Sequence, residues 1–188
     1  MILRFCEWLE NTQWSVALHE SIYGYAVVES VHVWALCLFL GMAVLLDLRL
    51  LGWGLRAVPV STVIKRLLPW TKAGFAVMVV SGVLLFFAIP IRTYHSVWFR
   101  LKLILLVLAA LNAWWFHIRT ERTIAAWDTG REIPRRARMA GAVSLALWVA
   151  IVVAGRLIAY NWFDCDRQPQ PGFINWAANC PPDISSDY

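Results

Sequence analysis

The run AGFAVMVVSGVLLFFAIPI, residues 73–91, decides the fold because it contains no Asp, Glu, Lys or Arg. A helix of a soluble bundle presents one face to water and therefore carries a polar stripe every three or four positions. This run has no such stripe. Crossing the ~30 Å hydrocarbon core of a bilayer takes about 20 helical residues, which the run reaches with its amphipathic flanks. The sequence therefore predicts a transmembrane helix here.

Three further runs are equally free of charge, and the composition of the whole chain agrees with them. Hydrophobic residues make up 60% of the 188 residues, whereas soluble domains are about 45–50% apolar. Mean hydropathy is +0.60. The three other runs are residues 30–46, 103–118 and 139–155. With their flanks, the four predicted spans are residues 25–50, 70–91, 98–118 and 139–163, and the predicted fold is an all-α integral membrane four-helix bundle.

The segments outside the spans are predicted from their composition. Residues 1–24 have no apolar core before a small-residue cleavage site, so we expect them to be retained rather than removed as a signal peptide. The segment PVSTVIKRLLPW, residues 59–70, separates apolar from basic positions with a helical period. That pattern is typical of a short helix lying in the membrane interface. Residues 164–188 are predicted to form an extramembrane C-terminal tail.

The distribution of basic residues predicts the orientation of the spans. Arg and Lys are concentrated between the first and second spans and between the third and fourth. Cytoplasmic loops carry such an excess, so both loops are predicted to be cytoplasmic and both termini to lie on the outer side, in an oxidising compartment. In that oxidising compartment Cys165 and Cys180 are expected to form a disulfide that closes the tail into a cap. Unpaired thiols, or a pairing that involves Cys6, are the alternatives.

The first span carries Glu29 and His32 one helical turn apart, which is unusual inside an apolar run. Ionisable side chains at membrane depth are costly and are site candidates by default. With a rise of about 1.5 Å per residue, both residues fall in the outer third of the membrane, at a depth similar to that of Arg156. The same count places His117 at the inner rim.

A b-type haem is one hypothesis for these residues. The candidate axial ligands are His32, His95, His19 and His117. Two haems are disfavoured, because His95 and His117 mark opposite faces of the membrane. A single outer haem would pair His32 with His95 or His19, whereas an inner haem would have to pair His117 with Met42. The candidate partners of the propionates are Arg92, Arg100, Lys102 and Arg156. Glu29 is the candidate carboxylate that would hydrogen-bond to a ligating histidine.

Two other interpretations of the same residues stay open. Glu29, His32 and Arg156 are suited to a buried polar clamp between the first and fourth spans, since charges in a membrane need partners with or without a cofactor. A copper or zinc site built from the outer histidines with Glu20 and Glu29 is the other. Either interpretation makes the cluster something other than a haem site.

Five segments resemble an uncharacterised family of small, four-span bacterial inner-membrane proteins. They are ESVHVWALCLFLGM (29–42), LDLRLLGWGLR (46–56), LLPWTKAGFAVMVVSGVLLF (67–86), FRLKLILLVLAALNAWWFH (99–117) and SLALWVAIVVAGRLIAY (144–160). The resemblance implies the four-span fold and an inner-membrane location. It implies no chemistry, and His19 and His95 fall outside the family pattern. The chain is also loosely similar to small membrane b-type cytochromes and to copper-resistance membrane proteins.

The leading functional hypothesis is a small electron-transfer subunit that holds haem b near the outer face and links the quinone pool to a periplasmic partner. The alternatives are a haem-free anchor or accessory subunit of a larger membrane complex, and a protein that handles copper or another metal. The sequence contains no catalytic constellation that this chain could use alone. The basic loops are explained by membrane topology, so they are no evidence for nucleic-acid binding.

Overall fold

The computed structural model of the protein describes residues 1–119, 121–128, 133–160, 165 and 169–180. Their helices are α1 (Ile2–Glu10), α2 (Gln13–Glu20), α3 (Gly24–Leu51), α4 (Val60–Ala88), α5 (Pro90–His95), α6 (Val97–Arg119), α7 (Arg135–Ile158) and α8 (Gly172–Ala178), with a 3₁₀ helix at Glu121–Ala126. Within these ranges there is no strand. The all-α fold predicted from the sequence is confirmed.

Four helices, α3, α4, α6 and α7, are long and apolar enough to cross a membrane. They carry large apolar side chains that are exposed, such as Val80 on α4, Ile104 and Val107 on α6 and Val149 on α7. A soluble protein would hide such side chains, whereas a bilayer core solvates them and requires only that the backbone be hydrogen-bonded within each helix. The chain is therefore a multi-pass membrane protein.

The described residues form two compact units. The first comprises residues 1–29, 81–104 and 150–188, and the second comprises residues 30–80 and 105–149. The first unit contains the N-terminal helices α1 and α2, the short helix α5 and the tail helix α8. There α1 packs against α5, burying Cys6 and Leu9, and the Ser15 hydroxyl donates a hydrogen bond to the carbonyl of Phe87 at 2.7 Å.

The second unit is held together by two apolar clusters and by close helix contacts. One cluster is Leu50, Val60, Ile64, Ile124 and Ala137, and the other is Ala35, Phe39 and Met78. The Phe39 ring meets the Trp148 ring edge-on, with centroids 4.7 Å apart. Gly74 of α4 lies directly against the backbone of Phe39 on α3, because a Cβ there would be 3.0 Å from the Phe39 nitrogen. Small residues allow this approach between membrane helices.

Residues 59–70 differ from their predicted arrangement as a separate interfacial helix. Residues from Val60 onward form the first turns of α4, which continues through Pro69 into the second span. The predicted two-sided pattern is present, since Val60, Val63 and Ile64 are buried while Lys65 is exposed. The carboxylate of Asp128 accepts hydrogen bonds from the backbone amide and the hydroxyl of Ser61 and so caps the start of α4. Burial and this cap keep the segment helical and joined to the span.

Candidate functional site

His95, the last residue of α5, contacts the tail helix directly. Its Nδ1 atom lies 3.0 Å from the carbonyl oxygen of Ala178, the last residue of α8. A carbonyl oxygen can only accept, so Nδ1 must carry the proton and donate it. In a neutral imidazole this leaves the lone pair on Nε2, the nitrogen that is then free to bind a metal. Tyr94 packs edge-on against the ring, with centroids 5.1 Å apart.

Arg100 of α6 holds the same end of the tail helix. Its Nη1 donates to the carbonyl of Ala177, its Nη2 to that of Ala178 at 3.2 Å, and its Nε to that of Tyr94 at 3.2 Å. Its guanidinium also lies 4.9 Å from the centroid of the Tyr94 ring. The last carbonyls of a helix have no partner within the helix and carry partial negative charge, so a cationic fork stabilises them. Arg100 and His95 together cap the C-terminus of α8.

The end of the tail helix is also fixed covalently. Asn179 adopts the left-handed conformation that terminates a helix, and the Cys180 amide donates back to the Asn175 carbonyl at 2.9 Å. Cys180 forms a disulfide with Cys165, with their Cα atoms 5.3 Å apart. The predicted disulfide is confirmed, and Cys6 stays a free, buried thiol. We call the segment from Cys165 to Cys180 the tail cap.

The other cationic candidates of the first unit have separate surroundings. A Cβ on Gly155 would stand 3.6 Å from the Lys102 ammonium, so the Lys102 side chain lies along the small surface that this glycine provides. Arg156 is exposed, and its guanidinium lies 5.5 Å from the centroid of the Tyr160 ring. Arg92 and Glu29 both lie close enough to Tyr25 to act on its hydroxyl electrostatically.

The four histidines divide equally between the two units. His19 is exposed on α2 and His95 is partly buried on α5, both in the first unit. His32 is partly buried on α3 and His117 is exposed near the end of α6, both in the second unit. Among the described residues, no three His, Cys, Asp or Glu side chains come together as a metal site would require.

A second polar site lies in the second unit at Asp47. Its side chain is buried and accepts a hydrogen bond from Ser144. Its Oδ2 atom has no hydrogen-bond partner within the described ranges. The helices meet closely here, because a Cβ on Gly141 would be 3.2 Å from the Asp47 carbonyl oxygen. Between α6 and α7 of the same unit, the Asn112 amide donates to the Ala140 carbonyl at 3.1 Å, the interhelical bond that its mid-span position requires.

The comparisons with known proteins identify the family. The chain matches the model of a family of unknown function, DUF6644, over residues 5–161. The protein belongs to the DUF6644 family. No curated protein and no solved structure matches the chain. The match covers most of the chain, including the four long apolar helices, and therefore confirms the expected membership in an uncharacterised family of four-span membrane proteins.

The DUF6644 match also separates the candidate residues into two groups. All four histidines, Lys102 and Arg156 lie within the matched residues, whereas the tail cap begins after them. Sequence reasoning did not include Asp47 in a site. It missed the cap formed by Asp128 entirely. The Asp128 interaction has no sequence signal, because it joins residues that are 67 positions apart.

Proposed function

We propose that the protein is a small electron-transfer subunit of the bacterial inner membrane, with both termini in the periplasm. It binds haem b near the periplasmic face and links the quinone pool to a periplasmic partner. The observation that carries this proposal is the hydrogen bond from His95 Nδ1 to the Ala178 carbonyl. Histidines that bind metals almost always donate their other ring N–H to a carbonyl or carboxylate, which fixes the tautomer and the ring orientation.

The first unit contains residues that could supply an axial ligand to the haem iron and partners for the haem propionates. His95 would supply Nε2 as one ligand, and His19, which lies in the same unit, is the candidate for the second. Lys102 and Arg156 would donate charge-assisted hydrogen bonds to the propionate carboxylates. When bound, haem b supplies a one-electron couple. The chain itself orients His95 through the hydrogen bond of its Nδ1 atom to the tail cap.

A second candidate function is favoured by a specific contact. Arg100 and His95 both bind the last carbonyls of α8, so capping of the tail accounts for both residues without a cofactor. The protein would then be a haem-free anchor or accessory subunit, and its ordered cap would meet a periplasmic protein. In that case Lys102 and Arg156 neutralise lipid phosphates rather than propionates.

One spectroscopic experiment separates the two functions. The reduced-minus-oxidised spectrum and the pyridine haemochrome content are measured for wild type, His95→Ala and Arg100→Ala, all purified from haem-replete cells. Arg100→Ala is the matched control, because it loosens the same end of α8 without removing a nitrogen ligand. We expect a b-type spectrum that His95→Ala abolishes and Arg100→Ala retains.

The other outcomes are equally informative. Loss of haem in both variants would mean that the tail cap, rather than the His95 nitrogen, holds the cofactor. A colourless wild-type protein that is monodisperse and helical would refute the electron-transfer proposal and leave the accessory subunit. In a pigmented protein, loss of the spectrum in His19→Ala would identify His19 as the second ligand.

A further inference from the structure

The same pattern, Phe followed three positions later by Trp, occurs in α1 and in α8. Residues 5–8 read FCEW in α1 and residues 173–176 read FINW in α8. In each, the Phe and the Trp lie three positions apart and therefore on one face of the helix. The ring centroids are 5.8 Å apart in the first pair and 6.0 Å apart in the second. We call them the two F-x-x-W pairs.

Both pairs are exposed although they are large and apolar. Phe5 and Trp8 are 52% and 63% exposed, and Phe173 and Trp176 are 70% and 77% exposed. Each helix nevertheless has a buried side that fixes it to the rest of the first unit. That side contains Cys6 and Leu9 in α1, and Ala178 in α8. The exposed rings are thus held in place by ordered helices.

The attachment points define the level at which both pairs lie. Both helices are fixed to α5, the short connection between the apolar helices α4 and α6: α1 packs against it, and His95 binds α8. Arg100, which donates to the carbonyls of Ala177 and Ala178, comes three residues after the start of α6 at Val97. That distance is about 5 Å along the helix. The C-terminus of α8 is therefore level with the first turn of a membrane-spanning helix.

The distribution of residues around α1 is that of a helix lying in a membrane surface. At 100° per residue, Glu7 lies about 160° from Phe5 around the helix axis. The side that contacts α5 lies between the aromatic flank and the glutamates, so one flank is apolar and the other charged. Helix α8, GFINWAA, has no charged residue at all. An uncharged aromatic surface at headgroup level fits lipid, because Trp partitions into the interface with its ring among acyl chains and its N–H in water.

We infer that the two F-x-x-W pairs are lipid anchors, which insert into the headgroup region of one leaflet and seat α1 and the tail cap on the membrane. The tail cap is then a membrane-bound element rather than a mobile extramembrane tail. This inference depends on neither haem nor a partner protein, so it stands or falls separately from the proposed function.

Spin labels measure the level of each pair. Nitroxides are attached to Phe5→Cys, Trp176→Cys and Glu7→Cys in a Cys37→Ala background, and the full-length protein is placed in phosphatidylcholine–phosphatidylglycerol nanodiscs. Cys6 is buried and Cys165 and Cys180 are bonded, so the introduced thiol is the reactive one. Accessibility is measured to oxygen, which concentrates in lipid, and to a water-soluble nickel chelate. Glu7→Cys is the control on the charged flank of the same helix.

We expect the labels at positions 5 and 176 to favour oxygen over the nickel chelate several-fold more than the label at position 7. Equal nickel accessibility at positions 176 and 7 would place α8 in water and refute the inference for the tail cap. Low accessibility to both reagents at position 176 would show that protein covers the ring, which also refutes it. All three substitutions are at exposed positions, so loss of folding does not confuse the result.

Discussion

Replacement of Gly74 by alanine should destabilise the second unit, and a glycine on the neighbouring helix α3 supplies a matched control. A Cβ on Gly74 would stand 3.0 Å from the Phe39 nitrogen and 3.2 Å from the Phe39 Cα, whereas ordinary contacts between carbon atoms are about 3.5–4.0 Å. The atoms in the way belong to the α3 backbone, which cannot turn aside as a flexible side chain can. The helices must separate by several tenths of an ångström.

The magnitude follows from comparison with Gly41→Ala. Gly41 lies on α3 in the same unit, and a Cβ there meets nothing within 4 Å. Both substitutions gain the same helix propensity, up to about 1 kcal/mol. Only Gly74→Ala adds the cost of overpacking, typically about 1–3 kcal/mol. The unfolding free energy of Gly74→Ala should therefore lie about 1–3 kcal/mol below that of Gly41→Ala.

The assay is reversible unfolding in mixed micelles of dodecyl maltoside and SDS, followed by tryptophan fluorescence. Wild type, Gly41→Ala and Gly74→Ala are compared at the same detergent mole fraction. We expect Gly41→Ala to match or exceed wild type and Gly74→Ala to unfold at lower SDS. Equal unfolding free energies for the two variants would show that α3 and α4 do not approach as closely as the structure has it.

Two further predictions concern the segments outside the spans. The hydrogen bond from the Ser61 hydroxyl lowers the pKa of Asp128 below its ordinary value of 3.8. The ionised carboxylate therefore stabilises the folded protein fully above the pKa of the unfolded chain, and this contribution is lost as the pH falls through the lower pKa of the folded protein. The stability difference between wild type and Ser61→Ala should be constant at neutral pH and shrink only below about pH 4; a difference that is flat to pH 2.5 would contradict this. Thiol labelling of the unreduced, denatured protein should leave Cys165 and Cys180 unmodified while the other two cysteines react. Modification of either tail cysteine would mean that the cap is open.

The four spans were predictable because the bilayer imposes a rule on composition. An unpaired backbone group or charge in hydrocarbon is so costly that a long uncharged run has one stable conformation. The ends of the helices were less predictable. Charge-free runs end at the membrane surface, but α7 begins at Arg135 and α4 at Val60, both in basic segments. The predicted boundary between the interfacial helix and the second span at residue 70 is absent, because the buried residues before Pro69 keep the helix continuous.

The disulfide was predictable from the sequence, whereas the contacts that hold the tail cap were not. Cysteine pairing was expected because two thiols lie in one short segment that was predicted to face an oxidising compartment. The contacts that seat the tail cap end on the backbone carbonyls of Ala177 and Ala178, which any residue would offer. The residue types at positions 177 and 178 therefore do not indicate that their carbonyls bind His95 and Arg100. The same holds for Asp128, whose partners are the amide and hydroxyl at the start of a distant helix.

These backbone contacts change how the cationic candidates should be weighed. Arg100 was a candidate for the propionates on the same footing as Lys102 and Arg156, because only its charge and depth were known. A guanidinium has five N–H donors in a rigid fork, and in Arg100 the Nε and both Nη atoms already donate to three carbonyls. Turning that fork toward a carboxylate would release the end of α8. Lys102 and Arg156 can meet an anion without that cost, so variants of these two residues, with Arg100→Ala as the contrast, give the clearer test of anion binding.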